Sequence, residues 1–169
     1  IAEGLDAVIL NPSVVLGPGD WNRGSSQIFK AVHNESRFFP IGGTGYVDVH
    51  DVALYTSKVL FSNVKNERFI LNSANLTYKE LFSLIACHMK KPKPAISLSP
   101  FLMEVICRVD AFASFFLRRK PTLTRDFAKI SSRIKSYSSK KILTKLNFKF
   151  IKIEETVKNY SNWYLDDLN

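Results

Sequence analysis

The chain has 169 residues, 46% hydrophobic and 23% charged, a balance that suits a folded globular protein and excludes long disorder or a low-complexity fibre. Its net charge is +9. With no RRM, KH or zinc-finger spacing beside it, that charge reads as a basic surface and not as a nucleic-acid function. Two cysteines with no Cys-x-x-Cys or Cys/His cluster exclude a disulfide scaffold and a metal centre.

Ala7-Val8-Ile9-Leu10 forms the first legible element. Four apolar residues without alternation predict a strand covered on both faces, as in parallel sheets. Pro12 has no N–H to give a ladder, so pairing should stop there. Asn11 to Gly19, with its Gly-Pro-Gly turn, should face a ligand beyond the carboxyl end of that strand. Ser25 then heads a short helix to Val32. Arg37 to Ile41 and Tyr46 to Val49 are predicted as the arms of a hairpin around Gly42-Gly43-Thr44-Gly45. The glycine tetrad misses both the spacing and the strand-before, helix-after setting of a phosphate cradle.

His50 to Phe61 is the next helix, with Val52, Tyr55 and Val59 on one face. Asp51 falls in its first turn, where a carboxylate complements the helix dipole, and His50 reads as a surface or junction residue. Arg68 to Asn72 is a strand that completes a parallel sheet after a helical crossover. Thr77 caps a helix from Tyr78 to Met89, and Glu80 completes a capping box. Lys90-Lys91-Pro92-Lys93-Pro94 ends that helix as a linker, and Ile96-Ser97-Leu98 is a brief strand.

A long helix runs from Pro100 to about Arg119. Its stretch from Phe101 to Leu117 carries Glu104, Arg108 and Asp110 and falls short of the roughly 20 apolar residues of a membrane span. No stable membrane insertion is expected, and a cytoplasmic protein is. Further helices are predicted over Thr124 to Ser131, Lys140 to Leu146 and Ile153 to Leu165. Cys87 and Cys107 lie in apolar helical patterns and should be buried thiols. Basic residues concentrate at Arg118-Arg119-Lys120 and from Arg125 to Lys152.

Four stretches carry a resemblance to a known family: Asn11-Pro12-Ser13-Val14-Val15-Leu16-Gly17-Pro18-Gly19, Gly45-Tyr46-Val47-Asp48-Val49-His50-Asp51-Val52-Ala53, Asn72-Ser73-Ala74-Asn75-Leu76-Thr77-Tyr78, and Tyr137 to Phe148. In that order the chain resembles the extended short-chain dehydrogenase/reductase family, in its NAD-dependent epimerase/dehydratase and dihydroflavonol-4-reductase-like branch. The resemblance covers nearly the whole chain but only the carboxyl-terminal half of the family's pattern. The family's Gly-x-x-Gly-x-x-Gly turn and its catalytic Ser, Tyr and Lys precede the strand with which this chain opens, so the 169 residues are read as a fragment.

The fold implied is α/β. Residues 1–90 would hold the last strands and helices of a Rossmann-type parallel sheet, with a substrate-side hairpin insertion near 33–50. Residues 91–169 would form a mostly helical substrate-binding domain. The parent would be an oxidoreductase or epimerase acting on a carbonyl or alcohol of a small organic substrate. It would use NAD or NADP, and homo-oligomerisation is left open. The chain alone is expected to lack activity, and a non-catalytic binding module derived from the fold is the competing reading.

By resemblance Pro12, Ser13 and Val14 would line the nicotinamide, while Leu16, Gly17 and Gln27 would stand on the substrate side. Sugar-nucleotide branches usually carry an Arg at the place of Asn11 and an Asn at that of Val14, which shifts weight to a smaller carbonyl compound. Tyr137-Ser138-Ser139-Lys140-Lys141 spells Tyr-x-x-x-Lys, but it lies far beyond the strand-Pro loop and matches the family's late segment, so no residue is assigned to catalysis.

Overall fold

The computed structural model describes residues 4, 6–99, 101–102, 104–106, 108–109, 112 and 132–168. Their strands are β1 Val8–Pro12, β2 Val14–Leu16, β3 Phe38–Pro40, β4 Gly43–Asp48, β5 Glu67–Leu71, β6 Ala74–Thr77 and β7 Ile96–Leu98. The helices are α1 Gln27–His33, α2 Val49–Leu60, α3 Tyr78–His88, α4 Lys140–Leu146 and α5 Ile153–Asp166. The expected helix over Thr124 to Ser131 and Cys107 lie outside the described residues, and the described part of the Pro100 to Arg119 stretch is helical.

Three small sheets share the strands. β1 and β5 pair in parallel. β2 pairs in parallel with β4, which pairs antiparallel with β6, and β3 pairs in parallel with β7. The architecture is that of a mixed α/β protein with parallel strands, as the sequence predicts.

Two apolar cores lie beneath these sheets. In the first, Leu16 and Tyr46 meet Phe29 and Val32 of α1, Leu81 and Ile85 of α3, and Val157, Tyr160 and Tyr164 of α5. Each such side chain contributes on the order of 1.5–3 kcal/mol when fully buried. The second core joins Val47, Tyr55, Phe69, Leu71 and Ile142, with Tyr55 stacked on Phe150 and edge-on to Phe148. Elements on both sides of residue 90 therefore fill the same cores.

Local chemistry explains the helices. Thr77 Oγ1 accepts from Glu80 N, and the Glu80 carboxylate accepts from Thr77 N in return, which is the predicted capping box. Asp48 caps α2 by accepting from His50 N. The predicted Ser25 helix starts later than expected. Ser25 and Ser26 sit in a 3-10 turn, Gly24–Ser26, and Ser25 Oγ donates to Val15 O instead of capping α1.

Three expectations are corrected. The strand β3 does not form a hairpin with β4; it pairs with the distant β7, and Gly43, Thr44 and Gly45 are strand residues, not a turn. A Cβ on Gly45 would stand 2.0 Å from Asn72 Oδ1, and one on Gly43 2.9 Å from Leu76 O. These glycines thus allow close approach of neighbouring backbone and side chains. Cys87 is exposed, because α3 turns Leu81, Phe82, Ile85 and Ala86 inward and leaves Cys87 off that face. Finally, β1 is half-exposed and not covered on both faces. Val8 and Leu10, with Phe69 and Leu71 of β5, face the second core, while the alternate residues Ile9, Asn11, Arg68 and Ile70 occupy the other face.

Candidate functional site

The chain changes sheets twice at one seam. β1 runs out at Pro12, and Ser13 N still donates to Leu71 O at 2.9 Å before β2 leaves to pair with β4. On the other side β5 ends at Leu71, and Ser73 N donates to Tyr46 O of β4 at 2.8 Å. Two parallel strands whose continuations diverge into another sheet leave a crevice beyond their carboxyl ends, the usual ligand position in open α/β sheets.

A cavity of about 650 Å³ lies there. Asn11, Pro12, Ser13 and Val14 form one wall, and Thr44, Arg68, Ile70 and Tyr137 complete the lining. Pro12 and Val14 present apolar surface. Ser13 Oγ is buried and has no hydrogen-bond partner in the protein, an arrangement that leaves its desolvation uncompensated unless a ligand supplies a partner. Arg68 adds a permanent positive charge and a planar fork of donors.

Tyr137 reaches the cavity because its backbone is clasped. Tyr137 N donates to Asn75 Oδ1 at 2.9 Å, and Tyr137 O accepts from Asn75 Nδ2 at 2.9 Å and Asn72 Nδ2 at 3.2 Å. Its ring packs where Gly45 has no side chain. Next along, Ser139 Oγ accepts from Asn72 N at 2.6 Å and donates to Asn72 O at 2.9 Å.

Lys141, the other end of the Tyr-x-x-x-Lys spelling, points to Glu67 Oε2 at 2.6 Å. Lys141 and Lys145 together hold the Glu67 carboxyl down at about 2. Tyr137 lines the cavity and Lys141 is taken up by an ion pair, so the two do not form an acid/base couple in this arrangement.

The predicted site residues separate in space. Pro12, Ser13 and Val14 come together on the cavity wall. Leu16 is fully buried in the first core, Gly17 abuts the Val49 side chain, and Gln27 is exposed at the start of α1; none of the three lines this cavity. Thr44, Arg68, Ile70 and Tyr137 were missed. For Arg68 and Ile70 a signal existed, since alternation along β5 puts them on the face opposite Phe69 and Leu71.

A second polar cluster joins α2 to α5. Asp48 Oδ1 accepts from His50 N, from the His50 ring at 3.1 Å and from Tyr160 Oη at 2.8 Å, while Oδ2 accepts from Thr156 Oγ1 at 2.8 Å. Burial and the adjoining Asp48 carboxylate push the Tyr160 phenol up. Asp51 Oδ2 accepts from Ile151 N at 2.9 Å; burial raises its carboxyl, and that hydrogen bond opposes the rise. Both carboxylates tie chain segments together away from the cavity. Among the described residues no group of three or more His, Cys, Asp or Glu could hold a metal ion.

No protein-family model matches the chain. It is similar to sterol demethylase protein B of Methylococcus capsulatus, 25% identical over 123 residues that make up 70% of this chain and 38% of that protein. It is also similar to a putative dihydroflavonol 4-reductase of Synechocystis, 22% identical over 96% of this chain and 49% of that one. In structure it superposes on a nucleoside-diphosphate-sugar epimerase of Pseudomonas aeruginosa with TM-score 0.71 and 20% identity, covering 97% of this chain and 49% of that chain. Other structural neighbours are solved in complex with NAD or NADPH. The chain spans less than half the length of the curated relatives it matches. Its relatives and structural neighbours include epimerase, dehydratase and dihydroflavonol reductase-like enzymes, and the likeness in structure is one of Rossmann-type fold.

Proposed function

We propose that this chain is the carboxyl-terminal part of an NAD(P)-dependent oxidoreductase or epimerase acting on a carbonyl or alcohol carbon of a small organic molecule, and that it forms one wall of the nicotinamide site. The observation that carries this reading is the buried, unpartnered Ser13 hydroxyl on the cavity wall. Pro12 and Val14 flank it with apolar surface, a set that suits a flat heteroaromatic ring and the polar group it carries. When bound, the nicotinamide supplies or accepts the hydride. This chain's residues bind and orient it: Pro12 and Val14 exclude water, Ser13 hydrogen-bonds, and Arg68 favours a ligand with negative charge.

The reading gives proton transfer and the pyrophosphate-binding turn to residues outside this chain. On the substrate side it retains Gln27, whose side chain is exposed, and the backbone of Gly17; the Leu16 side chain is committed to the core. Asn11 and Val14 favour a compact carbonyl compound over a sugar nucleotide.

The test is made in the longer protein that this reading requires. The reading frame ahead of Ile1 should encode a Gly-x-x-Gly-x-x-Gly turn and a Tyr-x-x-x-Lys pair. In that protein Ser13→Phe should weaken NADH or NADPH binding by about tenfold or more, roughly 1.4 kcal/mol, with an unchanged melting midpoint. Unaltered cofactor affinity would move the nicotinamide elsewhere.

A further inference from the structure

We propose that Tyr137 is a substrate-binding residue whose phenol selects which carbonyl compound the cavity accepts, and that Asn75, outside the cavity, is the residue that positions it. The proposal rests on the reading of Pro12, Ser13 and Val14 as the nicotinamide wall and concerns the wall across from them.

The way the cavity forms defines that second wall. β6 holds one edge of β4, and Tyr78 N beyond it donates to Gly42 O. On the other edge β2 pairs only from Tyr46 onward. Ahead of that point the place of β2 is taken by the segment around Ile134, which runs parallel to β4: Gly43 N donates to Arg133 O at 3.1 Å, and Lys135 N donates to Gly43 O at 2.9 Å. The gap between the two is at Thr44, which lines the cavity. Pro12 to Val14 bound it on one side, and the segment that continues to Tyr137 bounds it on the other.

Beyond Lys135 a side chain stands in for a strand. Asn75 Oδ1 accepts from Tyr137 N and Asn75 Nδ2 donates to Tyr137 O, both at 2.9 Å. One carboxamide thus satisfies both backbone groups of one residue, as a facing residue does in an antiparallel ladder. Asn75 is exposed and is not part of the cavity wall. Together with the room that Gly45 leaves for the ring, its two bonds set where Tyr137 stands.

The phenol is available to a ligand. Tyr137 is half-buried, and among the described residues its hydroxyl has no hydrogen-bond partner. Lys141 is held by Glu67 at 2.6 Å, so the phenol lacks the lysine of an acid/base pair and its part is binding, not proton transfer. A hydride donor and acceptor must lie face to face, about 3–3.5 Å apart. With the nicotinamide on Pro12, Ser13 and Val14, the carbonyl compound takes the rest of the cavity, on the Tyr137 side. The volume of about 650 Å³ lies in the range that holds a drug-sized ligand, which leaves that room. A phenol both donates and accepts, so it suits a compact carbonyl compound that bears a second polar group, such as a hydroxyl, away from the reacting carbon.

The test is made in the full-length protein that the proposed function calls for, with NADH or NADPH and a panel of aldehydes and ketones in pairs that differ by one hydroxyl. Wild type should favour the hydroxyl-bearing member of a pair, and that compound is the probe. Tyr137→Phe should raise its KM by about fivefold or more, with kcat within about twofold, the mark of an interaction made equally in ground and transition states, and should erase the preference. Asn75→Ala should do the same although it touches no ligand, and the double variant should be no worse than either, since both act through one contact. An Asn75 with a merely structural part would lower the melting midpoint and leave KM alone. In protein labelled with fluorotyrosine, the fluorine resonance that Tyr137→Phe deletes should move in Asn75→Ala, and in wild type it should move when NADH or NADPH is added. The second shift decides the matter if no compound of the panel is turned over, and a resonance that the cofactor leaves in place would then overturn the proposal. Weakened cofactor binding in Ser13→Phe, combined with an unaltered KM in Tyr137→Phe or an unmoved resonance in Asn75→Ala, would overturn the proposal and leave the nicotinamide wall standing. Unaltered cofactor affinity in Ser13→Phe would overturn both.

Discussion

Replacing Gly45 by Ala should be among the most damaging single-methyl additions in this chain. The new Cβ would lie 2.0 Å from Asn72 Oδ1 and 2.9 Å from both Asn72 Cγ and Tyr137 Cδ2. β4 cannot retreat, since it is bonded to β2 on one side and β6 on the other, so the Asn72 side chain must leave. Its amide then loses its bonds to Asn75 Oδ1 and Tyr137 O, each worth about 1 kcal/mol, and residual overpacking adds about 1–3 kcal/mol. The expected loss is roughly 3–5 kcal/mol, a large share of the typical 5–15 kcal/mol of a domain. Urea unfolding followed by fluorescence of Trp21, which is packed edge-on against Tyr164, measures it. Gly19→Ala is the control, its nearest neighbour being Ser26 Oγ at 3.7 Å. Asn72→Ala should cost about 2 kcal/mol for the same two bonds, and because it removes the nearest obstacle and leaves only the Tyr137 ring at 2.9 Å, the double variant should lose clearly less than the sum of the two single losses. Additive losses, or a Gly45→Ala protein within about 1 kcal/mol of the Gly19 control, would refute the steric account.

Glu67 has its folded carboxyl lowered to about 2 by Lys141 and Lys145 against an ordinary 4.5, so its stabilising effect is complete above the ordinary value and disappears as pH falls toward the folded one. The melting-temperature advantage of wild type over Glu67→Gln should be present at neutral pH and close in acid; a gap independent of pH would contradict it. The isolated chain should show no dehydrogenase turnover with NADH or NADPH on aldehydes, ketones or sterols. Turnover that survives purification and vanishes in Tyr137→Phe would contradict that expectation. The chain expressed alone should self-associate in light scattering, because β1 has one paired edge and the Ile9, Asn11, Arg68, Ile70 side of its sheet is open; a monodisperse, cooperatively unfolding monomer would show otherwise.

The features legible in the sequence were those that a few neighbouring residues determine. The Thr77 and Glu80 capping box needs four positions, and Pro12 marks the carboxyl end of β1, although Ser13 N still bonds to Leu71 O one residue beyond it. Asn147, at positive φ after α4, follows the same local rule for helix ends. What escaped depends on partners far away in the chain. Gly42 to Gly45 has the composition of a turn, but the selection at Gly43 and Gly45 is for closeness to Leu76 and Asn72. Phe38–Pro40 finds its partner at Ile96–Leu98, more than fifty residues later. Tyr137 enters the candidate site only because Asn72 and Asn75 clasp its backbone, and such a clasp leaves no periodic trace. The cavity loop Asn11 to Val14 was accessible through its position after a strand, whereas Thr44, Arg68 and Ile70 required the pairing to be known.

Asp48 bears on the order in which the molecule can assemble. Its carboxylate is nearly inaccessible to solvent, 2% exposed, yet two of its donors, Thr156 and Tyr160, come from α5, over a hundred residues later. Until that helix is present, Asp48 either stays in water or is buried short of partners, and the first core lacks Val157, Tyr160 and Tyr164 as well. At translation rates of about 5–20 residues per second, the interval between Asp48 and Tyr160 lasts on the order of 5–20 s. Through that interval β4 and the start of α2 have their local hydrogen bonds but no closed core. The nascent chain thus carries apolar surface for seconds at a time, and packing is completed in one late step when α5 arrives.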